Sequence, residues 1–281
     1  MAEISAKDVK ALREQTGAGM MDCKRALTES GGDLAKAVEV LRERGLAKAG
    51  KREGRATSEG AIAIASSGAA GGIVELGCET DFVARTDDFV ALAERLAQIV
   101  AEGADSVDTL LAAPIDGETV NDRIVAAIAK LGENVVVKRA SRIAVGSGVV
   151  GGYVHAGGKL GVLVGIEGSG DGLDVLAKDV SMHVAAADPT PVAVSRDGVS
   201  GDLLDSERDI YKKQALAEGK PEKIVDKIVE GKLNKFVSEI ALVEQAFVKD
   251  PDKAVGDLLG DANISAFERF KLGQGDEAEA E

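Results

Sequence analysis

Two cysteines and two histidines are the side chains of this 281-residue sequence best suited to nucleophilic or metal chemistry. Cys23 and Cys78 lie far apart, and neither has a second ligand at the spacing of a zinc site. No histidine is close in sequence to either thiol, so a catalytic cysteine would lack a neighbouring base. Cys23 shares a helical stripe with Met20 and Leu27, which is typical of core packing. We therefore predict two buried thiols, no catalytic residue and no bound metal ion.

The histidines have less clear roles. His155 follows a strand pattern beside a glycine-rich turn, and His183 lies on a helical pattern next to Met182. Catalysis needs several titratable groups that converge on one place, and the sequence shows no such spacing. The residues alone favour packing or surface positions for both.

One glycine-rich segment has the spacing of a dinucleotide-binding loop. Gly146–Gly151 reads Gly-Ser-Gly-Val-Val-Gly, but such a loop must open a helix whose N-terminus holds the pyrophosphate. Here the following residues, at 153–154 and 160–164, have a strand pattern. A connection between strands is favoured, and we predict no cofactor. A dinucleotide-dependent enzyme using Gly146–Gly151 remains the alternative function.

The segment from Cys78 to Arg85 combines polar caps with an aromatic side chain. A strand pattern ends at Cys78, and Thr80 or Asp81 can then cap a short helical turn that carries Phe82. With only six Phe and no Trp in the chain, Phe82 is either packed against the local core or exposed as an anchor for a protein partner. The residues alone favour local packing.

Composition and charge narrow the function classes. The chain is 45% hydrophobic and carries a net charge of −14, whereas nucleic-acid binders present a basic face to phosphates. Basic residues concentrate only between Arg42 and Arg55, so we predict no direct nucleic-acid binding. No apolar run approaches the roughly 20 residues of a membrane span, and the N-terminus does not resemble a signal peptide. We expect a cytoplasmic protein without membrane contact.

Periodicity predicts the elements that position these residues. Three short helices fill the first 45 residues, with caps at Ser5 and Asp33 and ends at Gly17 and Gly45. A basic, glycine-punctuated linker, or an extended helix end, follows at 46–59. Strand patterns at 61–64, 72–78, 135–137 and 142–145 enclose helices from Asp87 and over 120–131.

The second half repeats strand, strand, helix. A strand hairpin is predicted over 149–167 and a helix over 173–187, so 60–145 and 146–190 resemble a duplicated α+β unit. The periodicity of residues 203–240 predicts two antiparallel helices joined near Glu218–Pro221. A last strand pattern covers residues 266–272.

Two longer segments carry a resemblance to a known family. Thr16–Leu27 (TGAGMMDCKRAL) and Thr80–Ala84 (TDFVA) resemble the signature segments of the bacterial translation elongation factor Ts family. Shorter similar segments follow in order at Lys130–Asn134, Tyr153–Gly157, Met182–Ala186, Lys220–Pro221 and Val229–Leu233. The resemblance thus extends over nearly the whole chain.

The resemblance implies a guanine-nucleotide exchange factor for elongation factor Tu rather than an enzyme. In the family, the counterpart of Thr80, Asp81, Phe82 and Val83 enters the partner's GTPase domain and displaces Mg²⁺ from its nucleotide site. The counterparts of Met20 and Met21 dock on the same domain, and that of His155 touches the partner elsewhere. We expect the same contacts here.

The resemblance also implies an α+β architecture with a ubiquitin-associated-like N-terminal domain and a helical hairpin. The hairpin could also form a homodimer or a heterotetramer. The expected domains are the three-helix docking domain with linker (1–54), core subdomain N (55–145), core subdomain C (146–195 and 245–272), the hairpin (196–244) and an acidic tail (273–281).

Overall fold

The computed structural model describes residues 4–274, so the expected acidic tail, apart from Gly273 and Gln274, lies outside the described residues. The chain divides into two compact units. Unit 1 comprises the residues up to Ala63, Ile73–Arg142 and the residues from Phe270. Unit 2 comprises Ile64–Gly72 and Ile143–Arg269.

Residues 4–274 form ten α-helices and ten β-strands. The helices are α1 (Ala6–Thr16), α2 (Met20–Glu29), α3 (Leu34–Gly50), α4 (Asp81–Ala84), α5 (Asp87–Glu102), α6 (Val107–Ala112), α7 (Val120–Leu131), α8 (Leu173–Ala186), α9 (Gly201–Ala217) and α10 (Glu222–Ile240). The strands are β1 (Glu59–Ser67), β2 (Ala70–Cys78), β3 (Pro114–Ile115), β4 (Glu118–Thr119), β5 (Val135–Ala144), β6 (Gly148–Val154), β7 (Leu160–Glu167), β8 (Ala246–Phe247), β9 (Asp250–Ala254) and β10 (Asn263–Lys271). This mixture confirms the α+β class.

The first and third of the N-terminal helices begin at the predicted caps. Ser5 Oγ accepts a hydrogen bond from the N–H of Asp8 at 3.1 Å, and Asp33 accepts one from the N–H of Lys36 at 3.1 Å. Gly17 ends α1 in the left-handed conformation, with φ of 64°. The helices share a small apolar core formed by Val9, Leu12, Cys23, Ala26, Leu27 and Ala37.

The prediction that Gly45 ends the third helix is wrong, because α3 continues to Gly50. Gly45 is buried, and a Cβ there would lie 3.6 Å from Val125 Cγ1 and 3.7 Å from Ala129 Cβ, both on α7. The absent side chain therefore lets α3 pack closely on α7. The extended helix end is confirmed, and the irregular connection to β1 begins only at Lys51.

Two three-stranded sheets have corresponding strand orders, β1-β2-β5 and β10-β7-β6. In each, two strands consecutive in the chain lie side by side, and a later strand joins the second of them. Strand β5 is continuous from Val135 to Ala144, where the sequence predicts two separate pieces. Helix α6 and the β3–β4 ribbon have no counterpart among the predicted elements.

The glycines of the Gly146–Gly151 segment lie in a strand, which corrects the nucleotide-loop alternative. Gly148 begins β6, and a Cβ there would lie 2.0 Å from the carbonyl oxygen of Ile166 on β7. A Cβ on Gly151 would lie 2.8 Å from the Cβ of Ala177 on α8. These glycines permit close strand and helix packing, and no helix opens here to hold a pyrophosphate.

Helices α9 and α10 form the predicted helical hairpin, with residues 218–221 between them. Two separate apolar clusters hold it. The outer cluster consists of Ala215, Val225, Val229 and Leu233, and the base cluster of Ala193, Val199, Val237, Ile240 and Ala241. Within residues 4–274, no helix is long and apolar enough to cross a bilayer.

Candidate functional site

The most exposed aromatic ring lies on a single helical turn at the end of β2. Thr80 Oγ1 caps α4 by accepting a hydrogen bond from the N–H of Val83 at 3.5 Å. Phe82, two residues after Thr80, is 82% exposed, whereas Phe89 on the following helix is 0% exposed. The other Phe residues are buried or half-buried. We call Thr80–Val83 the tip.

The expectation that Phe82 packs against the local core is therefore wrong, and the exposed anchor is the alternative that the structure supports. Ala84, on the inner side of the same turn, is 8% exposed and supplies the buried contact. An amphipathic turn of four residues has one inner and one outer side, and the larger apolar residue occupies the outer one. The ring of Phe82 is therefore accessible for contact with another molecule.

Reciprocal hydrogen bonds hold the tip from the α7–β5 connection. The carboxylate of Glu133 accepts from the N–H of Glu79 (3.1 Å), the N–H of Thr80 (2.9 Å) and the Thr80 hydroxyl (2.6 Å). In return, Glu79 accepts from the N–H of Asn134 at 2.7 Å. That N–H, together with the nearby Arg55 guanidinium, holds the pKa of the Glu79 carboxyl below its ordinary value.

The charged residue of the tip is paired within its own turn. Asp81 forms an ion pair with Arg85 at 2.9 Å, and both side chains are accessible to solvent. Thr86 then caps α5 by accepting from the N–H of Phe89 at 3.4 Å, while its hydroxyl donates to Val83 O at 2.8 Å. The tip is thus held between two consecutive helix caps, and Asp81 lies beside the exposed ring.

Neither cysteine offers a reactive thiolate. Cys23 and Cys78 are free and fully buried, as predicted. Burial, reinforced by the Glu133 carboxylate, raises the pKa of Cys78 to about 11, and its thiol donates to Thr80 O at 3.2 Å. Burial likewise raises the pKa of Cys23. Both therefore remain protonated at neutral pH.

Met20 and Met21 lie at the start of α2, a different element of unit 1. They are 59% and 64% exposed, whereas Cys23 on the same helix is 0% exposed. Two flexible, polarisable side chains at one helix end suit an adaptable protein contact.

His155 belongs to unit 2, between β6 and β7. It is exposed, and its Nδ1 lies 2.9 Å from the hydroxyl of Tyr153. His183 is instead 1% exposed. Its Nε2 lies 3.0 Å from Gln245 Oε1, and its Nδ1 accepts from the N–H of Val248 at 3.3 Å. This arrangement fits a neutral ring, and burial lowers its pKa. His183 is a packed core residue.

The basic stretch between Arg42 and Arg55 is largely paired with carboxylates of unit 1. Arg42 contacts Asp122 at 2.6 Å, Lys48 contacts Asp22 at 3.2 Å and Arg55 contacts Glu79 at 3.4 Å. Arg44 also pairs with Glu29. These ion pairs are internal to unit 1, so neighbouring carboxylates compensate much of the positive charge of the stretch.

Glu133 accepts three hydrogen bonds from Glu79 and Thr80. Sequence reasoning does not identify this residue. It lies 53 positions from Thr80, and no spacing rule relates two loops that far apart. The only available signal is the resemblance of Lys130–Asn134 to a family segment. Among residues 4–274, no three His, Cys, Asp or Glu side chains are grouped to hold a metal ion.

Comparison with known proteins decides the family. A family model described as elongation factor TS matches residues 79–274. Elongation factor Ts of Clostridium perfringens (strain SM101) is 47% identical, with 99% of this chain and 96% of that protein covered. This chain belongs to the elongation factor Ts family. Members from Chlorobium phaeobacteroides and Arthrobacter sp. are each 46% identical over 97% of this chain and their whole length.

The elongation factor Ts match begins one residue before the tip. Its first matched residue is Glu79, and it includes Glu133 and His155. Met20 and Met21 precede the range that the family model matches. The similarity to the Clostridium perfringens protein covers 99% of this chain.

Proposed function

We propose that this protein promotes release of guanosine diphosphate from elongation factor Tu by inserting the tip into that GTPase. The elongation factor Ts family implies nucleotide exchange on elongation factor Tu during translation elongation. The observation that supports insertion is the 82% exposure of Phe82 on a capped turn. An exposed aromatic ring on a held turn suits a partner pocket, because little conformational freedom remains to be lost on binding.

Insertion would act on the partner's magnesium ion. Mg²⁺ neutralises much of the charge on a bound diphosphate, so its displacement weakens the hold on the nucleotide. Asp81 would accompany Phe82 into the site, exchanging its ion pair with Arg85 for contacts with the partner. Factor and nucleotide then weaken each other's binding reciprocally. No bond is made or broken, so this protein needs neither a catalytic residue nor a cofactor.

Further contacts would hold the two proteins together. Met20 and Met21 would dock on the GTPase domain, and His155 would touch a second region of the partner. The hairpin at 196–244 would contact another region of the partner or a second copy of this chain. The N-terminal helices at 1–54 and core subdomains at 55–145 and at 146–195 with 245–272 would act as separate contact modules.

Replacement of Phe82 by alanine tests the role of the tip. We expect GDP release stimulated by Phe82→Ala to be slower by about 30-fold or more, as for truncation of an aromatic anchor. The free energy of unfolding should change by less than about 0.5 kcal/mol, because the ring is exposed. Stopped-flow fluorescence of labelled GDP on elongation factor Tu measures the rate.

A matched control is Val175→Ala, since Val175 is an apolar residue of unit 2 that is 59% exposed. It should leave the exchange rate within about 2-fold of the wild type, as for a residue outside a binding hot spot. An unchanged rate for Phe82→Ala would refute the insertion mechanism.

A further inference from the structure

The direction of the tip depends on a carboxylate that belongs to neither the tip nor its strand. Glu133 lies in the short α7–β5 connection, directly after Gly132, whose φ is 82°. Both of its carboxylate oxygens face the residues where β2 ends. Oε2 accepts from the N–H groups of Glu79 and Thr80, and Oε1 accepts from the Thr80 hydroxyl.

These hydrogen bonds define how α4 leaves the strand. Backbone N–H groups of consecutive residues are directed at one carboxylate, which restricts rotation of the chain at Glu79 and Thr80. The Thr80 hydroxyl, by donating to Glu133, keeps its oxygen placed to accept from Val83. Glu133 thus acts on the cap of the turn that carries Phe82.

The carboxylate itself is held in place by neighbouring contacts. The next residue, Asn134, is 5% exposed and donates from Nδ2 to Arg55 O at 3.0 Å. Its N–H donates to Glu79 Oε1 at 2.7 Å. The connection and the strand end therefore hold each other reciprocally. Packing contributes little to the direction of Phe82, because that ring is 82% exposed.

We propose that Glu133 is a positioning residue for nucleotide exchange, which it serves by fixing the direction of Phe82. This inference rests on the proposed function of the tip. Without Glu133, the N–H groups of Glu79 and Thr80 lose charge-assisted hydrogen bonds and the turn adopts several directions. Only the fraction with the correct direction enters the partner, so the rate of exchange falls in proportion to that fraction.

Glu133→Ala, Phe82→Ala and the double variant test this inference together. We expect Glu133→Ala to lower the maximal stimulated rate of GDP release by about 10-fold, the equivalent of one charge-assisted hydrogen bond. The concentration that gives half-maximal stimulation should change less, because the docking residues remain. In the Phe82→Ala background, Glu133→Ala should lower the rate by less than about 2-fold, since residues that act as a unit are not additive.

A purely structural role would give a different pattern. General destabilisation would lower the rate by the same factor in both backgrounds, and that result would overturn the proposal. Glu133→Gln retains one acceptor oxygen and the side-chain shape, so it should fold and give an intermediate rate. Asp179→Ala removes a carboxylate of unit 2 that pairs with Lys249 at 2.7 Å, and it should leave the maximal rate unchanged.

Amide hydrogen exchange of the free protein gives a readout independent of the partner. Glu133→Ala and Glu133→Gln should speed exchange at Glu79 and Thr80, whereas Phe82→Ala should not. Wild-type protection at these amides in both Glu133 variants would overturn the proposal. If wild-type protein fails to accelerate GDP release, the proposed function fails. If Phe82→Ala is defective and Glu133→Ala is not, only the role of Glu133 fails.

Discussion

A buried ion pair joins the strand that precedes the tip to the end of the last strand. Glu75, on β2, is 0% exposed. Its carboxylate accepts from Arg139 at 2.7 Å (Nε) and from the N–H of Gly273 at 3.1 Å. Arg139 also donates to Lys271 O at 2.9 Å, and its guanidinium lies 4.2 Å from the centre of the Phe270 ring. We expect the two partners of this pair to respond unequally to substitution.

Removal of the arginine is the more damaging change. Arg139→Ala leaves a carboxylate buried with the single N–H of Gly273, and breaking a buried pair in this way costs about 3–5 kcal/mol. Glu75→Gln leaves no buried charge, and the side chain of Arg139, which is 26% exposed, can turn to water. We expect this variant to cost about 1–3 kcal/mol. At about 2–4 °C per kcal/mol, the melting temperatures should fall by about 6–20 °C and 2–12 °C respectively.

Urea denaturation followed by far-UV circular dichroism measures the free energies of unfolding. Glu75→Leu combined with Arg139→Met should recover most of the loss, because an apolar pair of similar volume replaces the ions. Arg196→Ala is the control, since its pair with Glu244 is partly exposed and should contribute less than about 1 kcal/mol. A loss in Arg139→Ala no greater than in Glu75→Gln, or simple additivity in the double variant, would refute the reasoning.

Two further substitutions test packing and pH dependence. Gly45→Ala should stabilise the protein by up to about 1 kcal/mol, because a Cβ fits at ordinary contact distance from α7 and alanine favours helix. Gly45→Leu should instead cost about 1–3 kcal/mol by overpacking, and thermal denaturation distinguishes the two. Burial lowers the pKa of His183, so the unfolded chain takes up a proton that the folded protein does not. Stability should therefore fall as the pH drops below about 6.5, by up to about 1.4 kcal/mol per pH unit. His183→Gln should flatten this dependence, which urea denaturation at several pH values measures, and an unchanged pH dependence in the variant would contradict the reasoning.

Elements that depend on local chemistry are predicted well. Ser5 and Asp33 cap helices because a side-chain oxygen and a free N–H only a few residues apart suffice. Gly45 is predicted wrongly because its glycine serves packing against α7, which no local pattern reveals. The spacing of Gly146–Gly151 likewise indicates a nucleotide loop only when a helix follows, and here a strand follows.

The candidate site is less accessible to sequence reasoning. The cap at Thr80 is predictable, but the direction of Phe82 depends on where the core of unit 1 lies. Local pattern alone favours burial, and the structure shows 82% exposure. Glu133 reaches the tip only through the fold, because the two are 53 residues apart in sequence.

The helical hairpin contains its outer and base clusters as separate groups of apolar residues. Matched turns added to α9 and α10 between these clusters would leave each cluster's contacts intact. Each added residue lengthens a helix by about 1.5 Å. The hairpin can therefore act as a spacer whose reach changes during evolution, or by design, at little cost in stability. The tip has no such freedom, because insertion of a single residue between Thr80 and Thr86 would separate one cap from the turn that it holds.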